Sequence, residues 1–161
     1  ELDTAASEQA RENVAASPWA QRIHVITADI AYFATQTPPR YAVIVSNPPY
    51  FSPGVACRTP ERDQARYTES LSHETLLLSA RQLLTPGGCF CVVLPSVSAP
   101  HFIAVAQQQG WMLQQQLNVS EVAGREPHRV LLALSNRAGP FHEANVAIRD
   151  GDGHYSSSFA R

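Results

Sequence analysis

Lysine is absent from the 161 residues, so all twelve basic side chains are arginine. Asp and Glu number fourteen and bring the formal net charge to −2. That balance excludes a surface that grips nucleic acid without selectivity, because such grip grows with the number of phosphates neutralised. Any RNA contact is therefore local, or uses residues outside this chain. Arginine suits a local contact, since its guanidinium forks onto phosphate and stacks on bases. Cysteine is scarce: three residues, an odd number, give no disulfide framework. No Cys or His spacing suits a zinc site, and no metal is expected. We read a reduced, cytoplasmic protein. No stretch approaches the ~18 apolar residues of a membrane span, and no basic-then-apolar secretory pattern opens the chain. Also missing is a G-x-G-x-x-G loop after a strand; Gly87-Gly88 closes a helix and does not open one.

What is present alternates between the two hydrophobic periods. Asp3 or Thr4 caps a helix with Ala6, Ala10 and Val14 on one stripe, and Pro18 stops it. Arg22–Ile26 reads as a short strand with Asp29 at its end. A turn of helix and a Pro38-Pro39 loop follow. Tyr41–Ser46 is an uninterrupted apolar run, read as a buried parallel strand. Ser70 or Ser72 caps a helix carrying Leu76, Leu77, Leu83 and Leu84, which Thr85-Pro86-Gly87-Gly88 ends. Cys89–Leu94 is a second buried strand, with Cys89 and Cys91 on one face as small apolar residues. Ser98–Gln109 is a helix with Pro100 in its first turn. Trp111–Val119 and Arg129–Ser135 are strands joined by a loop. The tail from Ala138 is polar, apart from a short strand at Val146–Ile148. This order predicts an α/β fold: a mostly parallel sheet, helices on both faces, and an antiparallel edge.

The informative element is Asn47-Pro48-Pro49-Tyr50, directly after the apolar run. Ligands of open α/β sheets bind at the carboxyl ends of strands. The Asn47 oxygen and Pro48 carbonyl can accept hydrogen bonds from an exocyclic amine, and Tyr50 can stack on the ring bearing it. Methylation of a planar amino group suits this set.

With Glu1-Leu2-Asp3, Asp29-Ile30 and Thr85-Pro86-Gly87-Gly88, the motif resembles the class I S-adenosylmethionine-dependent methyltransferases. The resemblance implies a Rossmann-like methyltransferase fold over residues 1–161 as one incomplete domain. It implies that Glu1 and Leu2 contact the cofactor ribose and Asp29 and Ile30 its adenine. Asn47, Pro48, Pro49 and Tyr50 then form the amino-methylating motif, with Asn47 also beside the cofactor. Further likeness narrows the family. Phe51, Gly54, the run Arg62-Asp63-Gln64-Ala65-Arg66-Tyr67-Thr68, His73 and Leu76-Leu77 carry it. So do Cys91–Pro95 and Pro127–Leu132. These are similar to the bacterial enzymes that methylate N6 of the adenine just 3′ of the anticodon in valine tRNA. That tRNA is the partner implied.

Substrate contacts implied by this likeness are Phe51, Arg58, Arg62, Arg66 and His73. For the three arginines two readings stand: phosphate contact, or pairing with Glu61, Asp63 and Glu69 on a solvated loop. His73 is either structural or substrate-lining. Arg125, His128 and Arg129 read as a hairpin surface, with RNA contact as the other reading. The resembled family has a first strand and glycine loop before the position of Glu1, and both are missing from this chain. The chain is accordingly read as a fragment that begins inside a protein. Two rival activities use the same amine geometry: methylation of a glutamine amide in a protein, and of guanine N2 in ribosomal RNA. A rival of another class is a non-catalytic remnant that binds RNA or protein.

Overall fold

A computed structural model describes residues 1–36, 39–48 and 71–160. The chain divides into two units, Glu1–Pro38 and Pro39–Arg161.

In the first unit, Asp3 caps helix α1 (Thr4–Ala15) by accepting from the Ala6 amide. Helix α2 (Ile30–Thr35) is capped in the same way by Asp29, whose Oδ1 accepts from Tyr32 N at 2.9 Å. The expected strand Arg22–Ile26 does not form. Glu1 N donates to Ile26 O at 3.1 Å and Ala28 N donates to Glu1 O at 2.9 Å. Those two bonds make a single parallel rung, after which the partner segment turns into α1. One rung is no ladder, and Ile23 and Ile26 stay exposed.

Among its described residues the second unit has a five-stranded sheet and two helices. Its elements are β1 (Tyr41–Ser46), α3 (His73–Leu83), β2 (Leu84–Pro95) and, after a 3₁₀ turn at Ser96–Ser98, α4 (Ala99–Gln108). Strands β3 (Met112–Val122), β4 (Arg129–Ser135) and β5 (His142–Arg149) complete it. The sheet order is β1-β2-β4-β3-β5. Strand β1 is parallel to β2, and β5 to β3, while β4 is antiparallel to both of its neighbours. The antiparallel strand therefore lies inside the sheet and not at its edge. The edge is β5, longer than the short strand read from the polar tail, because its backbone bonds to β3 need no apolar periodicity.

Period-2 alternation sorts the sheet into two faces. Phe90, Val92 and Leu94 of β2 and Val130, Leu132 and Leu134 of β4 are all buried. They share a core with Leu76, Leu77 and Ala80 of α3 and Phe102, Val105 and Ala106 of α4. Among the described residues of this unit both helices cover one face. The other face carries Cys91, Val93, Leu131 and Ala133 along a groove of about 590 Å³. Cys89 and Cys91 are consequently half-exposed, not buried. Strand β1 lies at the edge of the described sheet, with Val43 and Val45 59% and 78% exposed, on the side where the resemblance sets the missing first strand.

The segment Thr85-Pro86-Gly87-Gly88 does not follow α3 as a separate turn; it lies within the span of β2. Tyr41 pairs with Leu84, yet Val43 pairs with Cys89, so these four residues loop out of the ladder. Gly87 takes φ +77° there, a conformation that an L side chain resists.

Candidate functional site

Strand direction fixes where chemistry can gather. With β4 alone reversed, β1, β2, β3 and β5 all point their carboxyl ends to one edge of the second unit. Asn47 and Pro48 leave β1 at that edge. Asn47 is exposed and Pro48 is buried, so the proline anchors the end of the strand while Asn47 faces outward. No hydrogen bond among the described residues engages the Asn47 carboxamide. Asn47 also walls one end of the groove on the open sheet face. Pro49, Tyr50, Phe51, Arg58, Arg62 and Arg66 lie outside the described residues, so their expected roles stand as sequence readings.

Helix α3 runs back toward the start of β2, so its N-terminus lies at the same edge as Asn47. Ser72 Oγ caps it by accepting from Thr75 N at 3.2 Å. His73 opens the helix, and its ring meets Phe102 edge-on at 5.0 Å between centroids. His101, in the first turn of α4, stands 5.9 Å away. Burial, and then the neighbouring His101, push the His73 pKa below its ordinary value, against the pull of Glu74. The imidazole is therefore biased toward its neutral form, which can both donate and accept a hydrogen bond. His101 gave no sequence signal: it lies 28 residues from His73, and only the pairing of the two helices joins them.

In the first unit, Glu1 and Asp29 come to one end through the rung described above. Glu1 Oε1 accepts from its own neighbours, Leu2 N at 2.9 Å and Asp3 N at 3.1 Å. Leu2 is exposed, and Asp29 and Ile30 are half-exposed. Asp29 is also a helix cap, a position that favours Asp. Each carboxylate keeps an oxygen clear of these bonds, and such acceptors fit the diol of a ribose and the amine of an adenine. Among the described residues no three His, Cys, Asp or Glu side chains gather to hold a metal. No helix of theirs is long and apolar enough to cross a membrane.

This is a Rossmann-like methyltransferase fold. A predicted O-methyltransferase from Agrobacterium tumefaciens matches 99% of this chain and 73% of its own at a TM-score of 0.73 and 16% identity. The M protein of the type I restriction enzyme EcoKI matches 86% of this chain and 30% of its own, at 0.55 and 14%. At the level of sequence the chain is similar to the tRNA1(Val) (adenine(37)-N6)-methyltransferases. It is 55% identical over 159 residues to that of Pectobacterium carotovorum, covering 99% of this chain and 64% of the relative. To that of Cronobacter sakazakii it is 54% identical, covering 99% and 65%. The chain thus spans just under two thirds of the length of these curated relatives. No protein-family model matches it.

Proposed function

We propose that this chain carries the amine-binding side of a methyltransferase acting on N6 of the adenine beside the anticodon in valine tRNA. The observation that carries the reading is Asn47-Pro48 at the carboxyl end of β1, with Asn47 outward and the proline buried. The relatives' names support the substrate.

S-Adenosylmethionine would supply an electrophilic methyl group when bound. Glu1, Leu2, Asp29 and Ile30 would hold its ribose and adenine. The chain's own residues act mainly by position. Asn47 Oδ1 and the Pro48 carbonyl accept the two hydrogens of the target amine. An aryl amine shares its lone pair with the ring, and these two bonds favour a pyramidal nitrogen that frees it. They also stabilise positive charge that develops on that nitrogen. No general base is required for the displacement itself, since the proton leaves an already cationic nitrogen. The base must first leave its stack, and Pro49 and Tyr50 are the motif residues that would receive it. His73, with Phe51, Arg58, Arg62 and Arg66, completes the substrate side in this proposal, which places the protein in the cytoplasm.

The test offers an unmodified valine tRNA transcript and a peptide-chain release factor to the full-length protein with labelled methyl donor. Label at N6 of the adenine is expected. Label on the protein substrate and none on the RNA overturns the reading.

A further inference from the structure

The far edge of the sheet carries an aromatic cluster that the amine chemistry does not use. Strand β5 ends at Arg149, and the chain reverses through Asp150-Gly151-Asp152-Gly153. Asp150 Oδ1 accepts from Asp152 N at 2.9 Å and His154 N at 3.0 Å, and Gly153 takes φ +85°. The reversal brings Tyr155 into an antiparallel bridge with Arg149, and Ser156 N donates to Ile148 O at 2.9 Å.

Three planar groups result. The Arg149 guanidinium lies 5.1 Å from the Tyr155 ring centroid. The Phe159 ring stacks with Tyr155 at 5.6 Å and 27°. Arg149 is held in place: Nη1 donates to Gly153 O at 2.6 Å, and Nε lies 3.5 Å from Glu121 Oε1. Despite this fixing, Tyr155 is 62% and Phe159 49% exposed. Ordered rings that stay in solvent are poor contributors to a core and good platforms for a flat ligand, because their conformational entropy is already spent.

Chemistry narrows the ligand. Glu121 lies against Arg149 and Asp150 against His154, so the patch does not select phosphate by charge. Two rings are also far smaller than the ~800 Å² that a stable protein complex buries on each partner. Unpaired bases, in contrast, are held by stacking on aromatic rings and guanidinium planes, whatever their sequence. Position fits as well. Asn47 and this cluster lie at the same carboxyl edge, four strand intervals apart. At about 4.8 Å each that is ~19 Å, the rise of about six stacked nucleotides.

We propose that Tyr155, Phe159 and Arg149 form a second stacking station, which holds unpaired nucleotides of the substrate RNA flanking the methylated adenine. This rests on the reading of the substrate as RNA. The test uses the full-length protein and a hairpin carrying the valine tRNA anticodon loop. Binding is followed by anisotropy, and methyl transfer by kcat and KM. Tyr155→Ala with Phe159→Ala should weaken binding about tenfold or more and raise KM alike, with kcat at saturating RNA unchanged. Tyr155→Phe should restore binding. An Ala variant that melts like the parent and binds the hairpin normally overturns the station. Should the Ala variant unfold, photocrosslinking of a 5-iodouridine hairpin to the unsubstituted protein decides. Adducts at Tyr155 or Phe159 support the station, and their absence overturns it. Adducts without methyl transfer to RNA would leave the station standing and sink the parent activity.

Discussion

Ser46 of β1 stands opposite Val92 of β2, whereas Leu94, farther along β2, stands opposite Val130. The edge strand runs out before its neighbour, and Asn47 emerges in the step between them. A side chain there is backed by the sheet on one side and open on the other. In the full-length protein, Asn47→Ala should lower turnover by ~10²–10³-fold, the usual cost of one lost transition-state hydrogen bond. Affinity for S-adenosylmethionine, measured by calorimetric titration, should stay within a few fold. Near-normal turnover would remove Asn47 from the mechanism.

Gly88 should be intolerant for a reason of space. A Cβ built on it falls 2.8 Å from Leu84 Cγ and 2.9 Å from the Ala42 carbonyl oxygen. The second contact is backbone and cannot swing away. Gly88→Ala should cost ~1–3 kcal/mol in urea unfolding. Gly124 at φ +78° has open space around its Cβ position, so Gly124→Ala should cost only the ~1–2 kcal/mol of left-handed backbone. The reverse order would show that the bulge in β2 relaxes.

Acid should weaken the fold through His73. Its folded pKa lies below the ordinary 6.5 because of burial and the facing His101, with Glu74 opposing. The unfolded chain then binds the proton more readily, so this contribution is complete above pH 6.5 and fades as pH falls through the lowered folded value. His73→Gln should flatten the stability profile between pH 7 and 5 relative to the parent. Parallel profiles would show that His73 contributes no linkage.

Cys89 should react slowly. Burial and the adjacent Cys91, whose Sγ lies 3.5 Å away, push its pKa up to about 11. The thiolate is the nucleophile, so about one thousandth of the groups are reactive at pH 8. Peptide mapping after iodoacetamide should find Cys89 largely unmodified at pH 8 and fully modified in urea. Rapid labelling of the folded protein would contradict the raised pKa.

Local signals account for what the sequence made legible. Asp3, Asp29 and Ser72 cap the helices their positions suggested. Strand β1 itself could be read because an apolar run closed by two prolines leaves few alternatives. Strand β5 was mostly hidden, because His142, Glu143 and Asn145 carry no alternation, and its bonds to β3 are backbone bonds. His101, Tyr155 and Phe159 were silent for a different reason. Each acquires its neighbours from strand order and chain reversal, which no window of sequence contains.

The single reversed strand sets an order of assembly. Strands β3 and β4 are sequential and antiparallel, so they can close as a hairpin on the order of microseconds. The parallel pairs β1–β2 and β3–β5 need long crossovers and must wait for them. The middle of the sheet is therefore expected to form first, and the two margins of the described sheet, β1 and β5, last. The proposed amine site and the proposed stacking station occupy those two margins. In a hydrogen-exchange experiment the edge amides of β1 and β5 should open ahead of β4. RNA bound across both margins would then clamp the least secure parts of the molecule and slow exchange at the two together.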